Sequence, residues 1–126
     1  MKRIWIAASI LLLTFSATLA HSVHIKIFVS DLSAILEKAE ENAEQGDWAG
    51  AKKLTQTAWE KWEANDSYLH ITLRHSETDD IHTGFREVEE FIECEEDGEY
   101  SAANARLIAE LSLLAEGEQF TLKNIL

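Results

Sequence analysis

Seventeen consecutive residues, Ile4 to Ala20, carry no charge, and they follow directly on Lys2 and Arg3. As a helix they reach about 26 Å at ~1.5 Å per residue, slightly short of the ~30 Å hydrocarbon core of a bilayer. A helix is the form expected, because in lipid every backbone N–H and C=O must bond inside its own segment. Two basic residues ahead of an apolar run keep its leading end on the cytoplasmic side. No acidic residue occurs before Asp31, and residues 21–126 hold nine basic and all 23 acidic side chains, a net −14. The acidic remainder is therefore expected outside the cytoplasm.

Two fates of the run compete. Ala20, with Thr18 two residues before it, offers small side chains for cleavage as a signal peptide. The run is longer than the ~7–15 residues usual for a signal's apolar region, and neither Gly nor Pro breaks it near Ala20. Apolar residues continue at helical spacing through Val29, with Lys26 placed to reach the interface. Length favours an uncleaved single-pass anchor; secretion after Ala20 is the alternative. Residues 1–29 are thus assigned to the membrane and juxtamembrane segment, and 30–126 to one extracytoplasmic domain.

That domain reads as all-α. Leu32, Ile35, Leu36, Ala39 and Ala43 recur near the 3.6-residue helical period. Gly46 suits a helix C-terminus and Asp47 an N-cap. Trp48, Ala51, Leu54, Thr55, Ala58, Trp59 and Trp62 share the next face, which ends at Asn65-Asp66-Ser67, where Asp66 or Ser67 caps the following element. A third segment from about Tyr68 to Glu96 carries Ile71, Thr78, Ile81, Phe85, Val88 and Ile92, with Asp97-Gly98 as its stop. A fourth presents Tyr100, Ala103, Leu107, Leu111 and Leu114 and fades near Gly117, leaving Phe120 to Leu126 to dock. Gly46-Asp-Trp-Ala-Gly-Ala51 matches Gly98-Glu-Tyr-Ser-Ala-Ala103 at a period of 52. Two helical hairpins packed as a four-helix bundle are expected. The period is too long for a tetratricopeptide array, whose unit is near 34 residues.

Composition excludes several functions. An acidic surface lacks the Lys/Arg needed to displace counterions from nucleic-acid phosphates. One cysteine, Cys94, rules out an intrachain disulfide and a four-thiolate metal site. No Gly-x-Ser-x-Gly turn or phosphate loop occurs, so no enzyme activity and no cofactor are expected.

Three constellations remain. His75, Asp79 and His82 stand at i, i+4 and i+7, so one helix flank could present a divalent metal with two imidazoles and a carboxylate. The pattern lacks the internal Glu of zinc-protease helices, and a solvated polar flank explains it as well. Trp48, Trp59 and Trp62 could line a ligand or partner groove, or simply fill a small core. From Glu87 to Glu99, eight of thirteen residues are acidic, without the spacing of an EF-hand loop, which suits the outer side of an amphipathic helix. Arg74 projects onto the third segment's apolar face and calls for a carboxylate partner or a helix break. His70 is placed at the core edge.

The basic start with its apolar run, the Gly46-Asp47-Trp48 corner, Trp59-x2-Trp62, Tyr68-Leu-His-Ile-Thr-Leu-Arg-His75 before Asp80-Ile81, and the ending Leu122-Lys-Asn124-Ile125-Leu126 together resemble the bacterial domain-of-unknown-function family 4363. The likeness spans essentially the whole chain. It implies a small helical protein with one N-terminal membrane segment, chiefly from Gram-positive bacteria. The family carries no established activity, so no catalytic residue transfers. The expected role is non-enzymatic, with an envelope or membrane protein as partner. The alternative is a module binding a metal or small ligand.

Overall fold

A computed structural model describes residues 1–65, 67–69 and 75–125, the side chains of 75 and 118–125 lying outside that description. The described residues form helices and turns only. Helix α1 runs from Lys2–Glu44, α2 from Trp48–Ala64, α3 from His75–Glu93 and α4 from Asp97–Ile125. Residues 67–69 add a helical turn between α2 and α3. Ile71 and Arg74, the cap at Asp66, and the side chains of His75 and of the Phe120–Leu126 ending fall outside the described residues, as does His70.

Around the bundle, α1 packs against α2 and α4, α3 packs against α4, and α2 meets α3 more loosely. The diagonal pairs make no close contact among the described residues. This is the expected four-helix arrangement, with each helix antiparallel to its neighbours in sequence. Its core holds the stripes read from the period: Leu32, Leu36, Ala39, Ala51, Ala58, Trp62, Ile81, Phe85, Val88, Tyr100, Leu107 and Leu111 are all buried. Ala51 and Ala103, each four residues after the acid of the repeated motif, are buried as well, where a larger side chain would hold neighbouring helices apart.

α1 is continuous through the point where the sequence suggested a boundary. Ser22, Ile25 and Val29 are already buried against the bundle, while Ile4, Trp5, Ile10, Leu11, Leu12 and Leu13 stand exposed. The only stretch of the described chain long and apolar enough to cross a membrane lies in this helix.

The two hairpin corners are one motif. At the first, Gly46 takes φ +80, its N–H bonds to Ala43 O at 2.9 Å, and Asp47 N–H reaches Asn42 O at 2.8 Å. At the second, Glu95 takes φ +53, its N–H bonds to Ile92 O at 3.1 Å, and Glu96 N–H reaches Phe91 O at 3.2 Å. Both are Schellman turns, in which a left-handed residue lets two N–H groups close on the last carbonyls. Asp47 then caps α2, its Oδ1 accepting from Gly50 N at 2.9 Å. The structural spacing is therefore 49 residues, against 52 in the sequence match. Gly98 is not the stop expected of it: it sits in the first turn of α4, and the left-handed position falls to Glu95. α4 starts at Asp97 because Asp97 and Glu99 place negative charge where the helix dipole favours it. It also continues past Gly117, where it was expected to fade, to Ile125.

Candidate functional site

Among the described residues the loosest seam of the bundle is that between α2 and α3, and it opens into a groove of about 620 Å³ lined by Trp59, Asp79, His82, Thr83, Phe85, Arg86 and Glu89. A second hollow continues along the same seam past Lys52, Gln56, Glu90, Glu93 and Cys94, with Arg86 and Glu89 bordering both. Amphipathic periodicity builds this surface. Ile81, Phe85, Val88 and Ile92 turn one α3 face into the core, so residues one position away fall at the seam. The floor is aromatic. Trp59 meets Phe85 at 5.3 Å and His82 at 5.1 Å between ring centroids, both edge to face, an arrangement that rings favour beyond their burial alone.

The rim is charged. Lys52 of α2 pairs with Glu93 of α3 across the seam. Both groups are about half exposed, and pairs of that kind contribute roughly 0–1 kcal/mol. The seam is thus bridged by a salt-screened contact at one end and floored by aromatic packing at the other.

The sequence candidates divide. Asp79 and His82 line the groove together with Trp59, so members of the metal and tryptophan sets share one surface. His75 belongs to α3, but its side chain lies outside the described residues. Among the described residues, no three His, Cys, Asp or Glu side chains converge as a metal would need. The tryptophans are separated. Trp48 packs against Tyr100 at 5.5 Å by the first corner, and Trp62 is fully buried and stacked on Phe28 of α1 at 6.1 Å. Trp59 alone of the three reaches the groove. Cys94 is a free, exposed thiol at the second corner.

A polar cluster between α1 and α4 escaped the sequence reading. Asn104, fully buried, donates from Nδ2 to Leu36 O and to Glu40 Oε2, both at 3.1 Å, and Ser101 Oγ donates to Glu40 Oε1 at 2.5 Å. Burial, reinforced by the Glu40 carboxylate, pushes the Tyr100 hydroxyl well above the usual phenol range. Its signal was present: 100, 104, 107, 111 and 114 follow the 4–3 spacing of a core seam, and Asn104 is the polar member. A buried amide at such a position fixes register. Nearby on α4, burial raises the Glu110 carboxyl above its ordinary range. Asp80 and Glu87 raise it further, while Arg106 lowers it.

At the opposite end, Tyr68 packs on α1 between His21 and His24, at 5.5 and 5.6 Å, and its hydroxyl meets His21 Nδ1. The ring marks the level at which α1 leaves the bundle.

No curated protein and no solved structure matches the chain. A family model matches residues 19–125, which takes in the whole bundle and leaves most of the apolar run outside. The chain belongs to the family described as Domain of unknown function (DUF4363).

Proposed function

We propose that this protein is a membrane-tethered, extracytoplasmic helical module that binds another protein of the bacterial envelope and performs no catalysis. Its contact surface is the α2–α3 seam. The observation that carries this reading is the groove there: aromatic at its floor through Trp59 and Phe85, charged at its rim, and open along its length. An open surface of this kind suits an extended partner better than a small substrate, which concave pockets enclose. The anchor is supported by the continuity of α1. The bond after Ala20 lies inside the helix and joins it to His21, which contacts Tyr68, with buried Ser22 the next residue.

A photo-crosslinking residue at Thr83, in the groove, tests the proposal in intact cells against the same residue at Lys53, an exposed site outside it. The expected result is one discrete, stoichiometric protein adduct from position 83 and none from 53. No adduct from 83, or equal adducts from both, overturns the assignment of the seam. The second reading, a divalent metal or small ligand held by Asp79 and His82 beside Trp59, rests on the shared lining of that groove. Calorimetric titration of the full chain with Zn²⁺, Ca²⁺ and Ni²⁺ decides its metal form, and a silent titration discards it.

A further inference from the structure

The outward face of α1 stays apolar beyond the length that a bilayer core takes up. Leu12, Ser16, Leu19, Val23 and Ile27 follow one another at spacings of four, three, four and four, so they share a face. Leu19 is 43% exposed, Val23 49% and Ile27 65%. The uncharged run ends at Ala20, so Val23 and Ile27 lie about 4.5 and 10.5 Å past it at ~1.5 Å per residue. The opposite face is already protein at that depth, for Ser22 and Ile25 are buried in the bundle.

The same stretch carries the groups that suit a headgroup layer. Lys26 and His24 flank the stripe, and Tyr68 rests on His21 and His24 at the same level. Rings with a polar tip and long cationic side chains concentrate at that boundary. Further along, the face turns polar by way of Ser30 and Ala34, and its first carboxylates are Glu37 and Glu41, all exposed. Asp31, off to one side, is held by Lys61 of α2 at 2.7 Å.

We propose that the outward face of α1 through Ile27 is immersed in the headgroup layer of the bilayer that holds its apolar run, so that the bundle sits in the interface rather than on a stalk. This rests on the anchored reading above. A second copy fits the stripe poorly, because a parallel pair would bring Glu37 and Glu41 of both chains together. The outward face is apolar to Ile27, while the inward face meets protein from Ser22, so α1 leans toward its Val23–Ile27 side. α3 lies beside α2 and α4, and its backbone makes no close approach to α1 among the described residues. The lean therefore lifts α3 away from the lipid and leaves the α2–α3 groove open to a partner.

The test uses the full chain carrying Cys94→Ser, reconstituted in phosphatidylcholine–phosphatidylglycerol vesicles. Single nitroxides are placed at Leu12→Cys, Val23→Cys, Ile27→Cys and Glu41→Cys. Relaxation by oxygen, which partitions into lipid, is compared with relaxation by a water-soluble nickel chelate. The expected oxygen-to-nickel ratio falls in order from Leu12 through Val23 and Ile27 to Glu41, with Ile27 several-fold above Glu41. A ratio at Val23 and Ile27 equal to that of Glu41 places them in water and overturns the proposal. Low relaxation by both reagents at these two sites reveals a protein cover and overturns it equally. A water-like ratio at Leu12 shows instead that the anchoring itself has failed.

Discussion

Glu95→Gly should stabilise the bundle, and Gly46→Ala should destabilise it by a similar amount. Both residues hold the left-handed position of the same Schellman turn, at φ +53 and +80. A side chain in that conformation costs roughly 1–2 kcal/mol from Cβ crowding the backbone. Glycine returns about 0.5–1 kcal/mol of this by its greater freedom in the unfolded chain. The net gain for Glu95→Gly is therefore about 0.5–1 kcal/mol. At Gly46 a Cβ would meet nothing within 4 Å, so the loss for Gly46→Ala is the backbone term alone, of the same size. Glu95→Ala separates charge from backbone: it removes the carboxylate yet keeps the Cβ, and should leave stability nearly unchanged. Urea unfolding of residues 21–126, followed by circular dichroism and by tryptophan fluorescence, gives the three values. A shift of 1 kcal/mol moves the melting midpoint by roughly 4–8 °C in a domain of this size. A destabilised Glu95→Gly, or a Glu95→Ala that gains as much as Glu95→Gly, would refute the backbone reasoning.

Trp62→Ala removes a fully buried ring stacked on Phe28. It should cost about 3–5 kcal/mol, enough to unfold much of a domain whose whole stability is of order 5–15 kcal/mol; loss of the cooperative melt reads this out. Tyr100→Phe deletes a buried hydroxyl that finds no hydrogen-bond partner among the described residues, and should stabilise by about 1 kcal/mol in the same denaturation assay. Glu110→Gln should raise the melting temperature near pH 7 and change it little near pH 4, where carboxyls take up protons in the unfolded chain as well. The sign follows from linkage. The folded state holds this proton more tightly than the unfolded chain, so the associated stability is complete below the unfolded carboxyl range. It is lost as pH rises through the higher folded value. Equal gains for Glu110→Gln at both pH values would contradict that origin.

Much of the architecture was legible because it rests on local rules. The helical period alone separated Leu32, Leu36 and Leu107 from their solvated neighbours, since burial at 3.6-residue spacing is what holds short helices together. Gly46 and Asp47 announced their corner because a left-handed residue and a capping carboxylate are local chemistry. The second corner was misplaced for a related reason. Gly98 imitates Gly46, but the apolar stripe of α3 stops at Ile92 and the chain turns at once, forcing Glu95 into glycine's conformation. Repeated spelling is thus not repeated register. Even so, Trp48 and Tyr100, three positions out of step in their helices, meet edge to face.

The site was only half legible. Asp79, His82 and Trp59 were each singled out, but periodicity within a helix says nothing of which helices stand apart. The groove follows from the looseness of α2 against α3, a property of pairs of helices. The Glu40–Ser101–Asn104 cluster was overlooked because counting apolar positions passes over a polar residue in a core register. The reach of α1 into the bundle was visible as a continued apolar pattern through Val29. Its consequence, a helix buried on one side and bare on the other from Ser22 to Ile27, depends on where α2 and α4 lie.

Sidedness of the bundle is the claim on which the functional account stands, and a single cysteine at Lys53, exposed and outside the seam, reports it in a chain carrying Cys94→Ser. Intact cells, mildly reduced and treated with a membrane-impermeant maleimide, should label Lys53→Cys to the same extent as lysed cells, on a membrane-associated chain that keeps the full 14.2 kDa. Labelling that appears only after lysis, or a labelled chain shortened at Ala20 and released from the membrane, would contradict a tethered bundle facing outward.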